Sequence, residues 1–131
     1  MEYLFVYGTL LKDFKHKARF PVEEHLQFIS EATVKGALYD LGNYPGYVEE
    51  PTGDVKGEIY LVSEIDKVFE ILDEYEGLFD NEPEYIRKKK EIEIPNGETI
   101  ESWIYIYQQA IRPEHKRIMN GDYLAFIRNK G

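Results

Sequence analysis

The sequence predicts an α+β fold in which a small, mixed, strongly curved or barrel-like β-sheet carries one long helix and short flanking helices. Three observations indicate this class: five short β-favouring segments, one long helical pattern after the third of them, and hairpin-type connections between strands. The chain has 131 residues, of which 43% are hydrophobic and 15% aromatic, so it can bury one core. We therefore expect residues 1–131 to form a single domain.

Five segments have the composition of strands and are bounded by turn-forming residues. We predict strands at Tyr3–Tyr7, Thr33–Asp40, Val55–Val62, Tyr85–Ile94 and Thr99–Tyr107. The first is apolar throughout, which favours a central strand buried on both faces. The last two flank Asn96 and Gly97, which predicts a long antiparallel hairpin. Residues 13–30, interrupted by Pro21, are expected to be irregular or partly helical, and residues 41–47 to form a loop.

The long helix is predicted to run from Ser63, as its cap, to Glu76, with Gly77 ending it. Its buried stripe follows helical spacing and consists of Ile65, Val68, Phe69 and Leu72. A short final helix is predicted at Tyr123–Arg128, with Asp122 as its cap.

Glu76 is the most informative single residue, because the helical repeat places it among the apolar residues of the stripe. A carboxyl group that loses hydration among apolar neighbours has a raised pKa, which suits proton transfer near neutral pH. The sequence thus predicts Glu76 as a general base. The alternative is that its side chain turns to solvent or pairs with a cation such as Arg87.

A second candidate is the segment Tyr7, Gly8, Thr9 and Leu10, which follows the first strand. Gly8 allows successive backbone N–H groups to converge, so the loop could bind a carboxylate; the alternative is an ordinary turn. Arg87 has three possible roles: pairing with Glu76, binding a substrate carboxylate, or lying on a solvated face, which composition favours. The three histidines lack metal-ligand spacing, so no metal site is predicted.

Charge and cysteine content restrict the partners that we expect. A formal net charge of −9 disfavours nucleic acid and anionic lipid surfaces. No apolar run approaches a membrane span, and residues 1–5 lack the basic start of a secretory signal. The chain has no cysteine, which suits a reducing compartment. We expect a cytoplasmic protein that binds neither nucleic acid nor membrane; the sequence predicts no particular oligomeric state.

Several segments, in this order, resemble the gamma-glutamylcyclotransferase-like family and, within it, its gamma-glutamylamine cyclotransferase branch. The matching segments are Val6–Leu10, Leu38–Gly42, Tyr44–Gly46, Val55–Tyr60, Leu72–Gly77, Tyr85 with Arg87, Trp103–Tyr107 and Gly121–Tyr123. The resemblance spans nearly the whole chain. It implies a small β-barrel with flanking helices and a pocket floored by the Tyr7–Leu10 loop.

The resemblance also implies a reaction. The α-amine of a γ-glutamyl group attacks its own side-chain carbonyl, closing 5-oxoproline and releasing an amine, without a cofactor. The catalytic glutamate of the family corresponds to Glu76. The substrate-binding residues that we expect are Tyr7, Gly8, Thr9, Leu10, Tyr44, Arg87, Tyr107 and Tyr123. The leaving amine is left open between the ε-amine of a γ-glutamyl-lysine, a polyamine and an amino acid.

Two competing interpretations follow from the same residues, because a fold does not by itself establish a reaction. The pocket could belong to a non-catalytic module that binds a small carboxylate or a modified amino acid. The basic segment Arg87–Lys90 could instead dock another protein. Only the enzyme requires a proton acceptor at Glu76.

Overall fold

The computed structural model describes residues 2–8, 10–12, 19–42, 44–75 and 84–129, which form two sheets and two α-helices. The strands in chain order are β1 (Glu2–Val6), β2 (Leu26–Lys35), β3 (Ala37–Asp40), β4 (Pro45–Val48), β5 (Asp54–Val62), β6 (Tyr85–Glu93), β7 (Thr99–Tyr107) and β8 (Lys116–Arg117). The helices are α1 (Ile65–Tyr75) and α2 (Tyr123–Asn129), with a 3-10 turn at Glu23–His25. Neither α-helix has the length and apolar composition needed to cross a bilayer, within the part of the chain that the structure describes.

Five strands close a barrel in the order β1-β5-β2-β6-β7, so the predicted mixed barrel is confirmed. The pair that joins β1 to β7 is parallel, with Leu4 opposite Trp103, whereas the other neighbours in the barrel are antiparallel. The three remaining strands form a separate sheet in the order β4-β3-β8. β1 pairs with β5 on one side and with β7 on the other, and it is buried on both faces as predicted, with Leu4 and Val6 in one core and Phe5 in the other.

Strand alternation divides the apolar residues into two cores. The inner core fills the barrel and includes Phe5, Ile59 and Ile104, together with α2 residues such as Tyr123. The outer core lies between the barrel wall and α1 and consists of Leu4, Val6, Leu10, Leu11, Val22, Tyr60, Val62, Val68, Phe69, Leu72, Tyr85 and Tyr105. α1 therefore packs on the outside of the barrel, against the strands that carry the candidate site.

The predicted stripe of α1 is confirmed, because Val68, Phe69 and Leu72 are all buried against the barrel. The predicted cap at Ser63 is wrong. The Ser63 hydroxyl lies 3.5 Å from the His25 carbonyl oxygen instead, and Glu64, with φ of 53°, turns the chain into a helix that begins at Ile65. The predicted end at Glu76 and Gly77 lies outside the described residues.

The hairpin and the final helix are confirmed. β6 and β7 pair from Tyr85 opposite Tyr107 to Glu93 opposite Thr99, on either side of the Asn-Gly turn. The Asp122 carboxylate accepts a bond of 3.1 Å from the Ala125 amide, which caps α2 as expected.

Three predictions about strands are wrong. Residues 26–30 are not irregular but form the first half of β2, which pairs with β5. The single strand expected at Thr33–Asp40 is divided at Gly36, which has a φ of 147°, a conformation that glycine adopts readily and other residues rarely do. As a result, β2 and β3 belong to different sheets. The predicted loop at 41–47 contains the start of β4, because proline is tolerated as the first residue of a strand.

Two buried tyrosines give the fold a predictable response to alkaline pH. Burial raises the pKa of Tyr47 and of Tyr60, and for Tyr60 the hydrogen bond to Glu58 raises it further. Their folded pKa values therefore exceed the unfolded value of about 10, so their stabilisation is complete below pH ~10 and is lost as the pH rises above it. We expect each tyrosine to reduce the free energy of unfolding by up to about 1.4 kcal/mol per pH unit in that range.

Urea unfolding between pH 8 and pH 11 tests this prediction, because this range includes the ordinary tyrosine pKa of about 10. Tyrosinate absorbance provides a second signal. The free energy of unfolding of the Tyr47→Phe variant should fall less steeply with pH than that of the parent. The difference in slope should correspond to about one proton fewer released on unfolding. Identical slopes for the two proteins above pH ~10 would contradict it.

Candidate active site

The loop after β1 is fixed by both its side chains and its backbone. The Tyr7 hydroxyl donates to the Tyr105 carbonyl oxygen at 2.8 Å and accepts the Tyr47 amide at 3.4 Å. The Gly8 carbonyl oxygen accepts the Leu11 amide at 3.0 Å, which closes a turn. Leu10 is buried, and its side chain packs in the outer core. Thr9 lies outside the described residues.

Gly8 lies directly against Pro45, the first residue of β4. A Cβ atom built on Gly8 would lie 2.5 Å from Pro45 Cγ, so a side chain there requires one of the two segments to move. The Pro45 carbonyl oxygen accepts a bond of 2.8 Å from the Tyr85 hydroxyl. The glycine thus allows the β1 loop to meet the small sheet, and Tyr85 holds that sheet to the barrel.

Three tyrosines form a wall next to this contact. The Tyr85 ring lies 6.1 Å from the Tyr44 ring and 5.6 Å from the Tyr107 ring, measured between centroids. The Tyr44 hydroxyl donates to the Glu84 carboxylate. Burial, and secondarily the negative charge of Glu84, raises the pKa of Tyr107. The structure therefore brings Tyr44 and Tyr107 together near Gly8, and it adds Tyr85, which was predicted only as part of a family motif.

Tyr123 lies elsewhere. It is 2% exposed, belongs to the inner core of the barrel, and stacks on Phe126 with ring centroids 6.5 Å apart. Tyr44 and Tyr107 pack against the outer core instead. A substrate contact by Tyr123 stays a prediction, and its observed contacts are those of a core residue.

The interpretation of Arg87 as a residue on a solvated face is wrong. Its Nε and Nη2 atoms donate to the two Asp73 carboxylate oxygens, both at 2.9 Å, and its guanidinium lies 3.7 Å from the centroid of the Phe69 ring. Burial acts to lower the pKa of Arg87, but the hydrogen bonds and charge of Asp73 outweigh it, so that pKa is raised. The buried Asp73 carboxylate requires a countercharge, and β6 supplies it. Substrate binding by Arg87 stays a prediction.

Glu76 lies outside the described residues, and its general-base role stays a prediction. The structure describes α1 as far as Tyr75, the residue before Glu76, and shows a buried acid three residues earlier, at Asp73. Asp73 was not predicted as a site residue because its position in the helical repeat is beside the apolar stripe rather than within it. Its presence in the Leu72–Gly77 family motif was the available signal.

Glu58 is a second buried acid that was not predicted as a site residue. Only 7% of its surface is exposed, and its Oε1 atom accepts the Tyr60 hydroxyl at 2.7 Å and the Lys12 amide at 3.1 Å. It therefore ties the end of the β1 loop to β5. A cavity of about 340 Å³ adjoins it, lined also by Leu11, Glu31, Lys56, Glu93 and Asp122. Among the residues described, no three carboxylate or histidine side chains are grouped to hold a metal ion.

The chain is similar to known proteins over most of its length. Residues 4–125 match the profile of the family described as "Gamma-glutamyl cyclotransferase, AIG2-like". A Vibrio cholerae protein named "Putative gamma-glutamylcyclotransferase" is 39% identical over 123 residues, covering 92% of this chain and 93% of that protein. A Methanocaldococcus jannaschii protein of the same name is 35% identical over 113 residues, covering 84% and 88% respectively. The crystal structure of an AIG2-like protein from Mus musculus superposes with a TM-score of 0.67 at 25% identity, covering 87% of this chain and 81% of that chain.

The contact between Gly8 and Pro45 predicts that one added methyl group at Gly8 destabilises the fold. We expect Gly8→Ala to lower the free energy of unfolding by about 1–3 kcal/mol, because the new Cβ overlaps the proline ring. Urea unfolding measures this change. Pro45→Ala removes the overlapping Cγ and Cδ atoms and is the matched second variant.

The double variant Gly8→Ala, Pro45→Ala should lose less free energy of unfolding than the sum of the losses in the two single variants, by about 0.5 kcal/mol or more. Additive effects in this double-mutant cycle would mean that the loop does not depend on the close approach of Gly8 to Pro45.

Proposed function

The chain belongs to the gamma-glutamyl cyclotransferase, AIG2-like family, and we propose that it converts a γ-glutamyl amine into 5-oxoproline and the free amine. The family and its relatives indicate gamma-glutamylcyclotransferase activity in general. The observation that carries the finer proposal is the meeting of the Gly8 turn, Pro45 and the tyrosine wall on the side of the barrel that α1 covers. The residue that follows α1 in the sequence is Glu76.

Ring closure forms one carbon–nitrogen bond and breaks another. The substrate α-nitrogen bonds to the γ-carbonyl carbon, an oxyanion develops on the carbonyl oxygen, and the bond to the leaving nitrogen then breaks. The α-amine is an ammonium ion near neutral pH, so a base must remove a proton before attack. The attacking nitrogen loses two protons in all, one before attack and one after it, because it ends as the ring amide. In this proposal Glu76 accepts each proton in turn: it delivers one to the leaving nitrogen as the carbon–nitrogen bond breaks, and the other protonates the released amine, which is an ammonium ion near neutral pH. The protons therefore balance without a cofactor.

Binding is assigned to the backbone of the β1 loop. The N–H groups of Gly8, Thr9 and Leu10 would hold the substrate α-carboxylate or stabilise the oxyanion. Two observations support a backbone site: Gly8 has no side chain, and the Leu10 side chain is buried in the outer core. Tyr44, Tyr85 and Tyr107 would form the wall that folds the substrate so that amine and carbonyl meet.

Replacing the proposed base tests this function. Glu76→Gln should lower kcat for release of 5-oxoproline by a factor of about 10² to 10⁴, because the amide cannot accept the proton. Binding of 5-oxoproline and the free energy of unfolding should change little. Glu74→Gln is the matched control, since Glu74 is exposed on α1 and should leave kcat unchanged.

The assay uses three purified substrate types: γ-glutamyl-ε-lysine, a γ-glutamyl polyamine and a γ-glutamyl amino acid. The type that gives the highest kcat/KM identifies the leaving amine. If the parent protein releases 5-oxoproline from none of them but binds 5-oxoproline, the non-catalytic binding module replaces the proposed enzyme.

A further inference from the structure

Asp73 is held by three hydrogen bonds from the barrel wall. Its carboxylate accepts two bonds of 2.9 Å from Arg87 on β6 and one of 2.6 Å from the Tyr105 hydroxyl on β7. Asp73 is only 7% exposed. Because charge-assisted and bidentate bonds are the strong class of hydrogen bond, the last turns of α1 are fixed to these two strands at one point.

Tyr105 connects this point to the substrate loop. Its backbone carbonyl oxygen accepts the Tyr7 hydroxyl at 2.8 Å, and its own hydroxyl donates to Asp73. Tyr7 is the residue before Gly8, and Asp73 precedes Glu76 by three residues. One residue of β7 therefore contacts both segments that the proposed reaction needs.

Arg87 is also restrained in its orientation. Its guanidinium carbon lies 3.7 Å from the centroid of the Phe69 ring and 4.7 Å from that of the Trp103 ring. Trp103 is held in turn by a bond of 2.7 Å from its Nε1 atom to Glu2. Cation–π contacts and the planar fork favour one geometry for arginine that lysine cannot reproduce.

We propose that Tyr105, Asp73 and Arg87 are positioning residues that fix the last described turn of α1 relative to the substrate loop at Gly8, and that the proposed base, Glu76, which follows Tyr75 in the sequence, depends on that turn. This inference rests on the proposed function. None of the three touches the reacting atoms in this scheme, so their effect is indirect. Losing the constraint should lower kcat more than it raises KM, because the base is misplaced while the loop still binds substrate.

The first test is Tyr105→Phe, which removes only the hydroxyl and retains the ring and the carbonyl that Tyr7 uses. We expect kcat to fall about tenfold or more, with KM within about twofold of the parent value. Amide hydrogen exchange at residues 72–75 should become faster, because the last turn of α1 loses one of its anchors.

Two further variants test whether kcat also falls when the ion pair between Arg87 and Asp73 is altered. Arg87→Lys keeps the charge but not the bidentate fork, and Asp73→Asn keeps the shape but not the charge. Both should lower kcat at least as much as Tyr105→Phe and accelerate exchange in the same segment. Lys88→Ala is the matched control: it removes an exposed ion pair with Glu49 from the neighbouring position of β6, and kcat should not change.

The outcomes separate this inference from the function on which it rests. A parent protein without cyclotransferase activity overturns both. An active parent whose variants show faster exchange but unchanged kcat overturns the positioning role alone. A fall in kcat that matches the unfolded fraction at the assay temperature also overturns it, because a merely stabilising contact would have that effect.

Discussion

The carboxylate of Asp73 lies in an environment that excludes most water, and the arrangement around it follows from the need to compensate that charge. A buried carboxylate without partners costs several kcal/mol, roughly 3–5 when one partner of a buried pair is removed. Arg87 and Tyr105 supply the compensation from adjacent strands. Since Asp73 is part of α1, the same contacts fix where the helix lies on the barrel.

The candidate site depends on short-range complementarity between elements that are distant in sequence. Gly8, Pro45 and Tyr85 come from the β1 loop, the small sheet and the barrel hairpin, and they meet because a side chain is absent at one position. Tyr44 and Tyr85 combine large apolar rings with hydroxyl groups that donate to Glu84 and to the Pro45 carbonyl oxygen. In the proposed function, this wall would fold the substrate so that its amine and carbonyl meet.

The sequence predicts elements whose signals are local. The apolar run of β1, the helical repeat of α1 and the Asn-Gly turn were each sufficient to predict the element that they mark. The first half of β2 was not, because Gln27, Phe28 and Ile29 are all exposed and show no alternation. β4 begins with Pro45 and Gly46, which resemble a turn until the small sheet is formed. Arg87 was misjudged because its partner is 14 residues away, and only the folded chain shows that pairing.

The site spans two sheets that are hydrogen-bonded separately. Gly8 follows a barrel strand, whereas Pro45 begins a strand of the β4-β3-β8 sheet, and the chain passes from one sheet to the other at Gly36. The position of the β4-β3-β8 sheet against the barrel therefore depends on contacts such as the close approach of Gly8 to Pro45 and the bond from the Tyr85 hydroxyl to the Pro45 carbonyl oxygen. A substitution at Gly8 or Tyr85 can shift the small sheet relative to the barrel without removing a ladder hydrogen bond from either sheet.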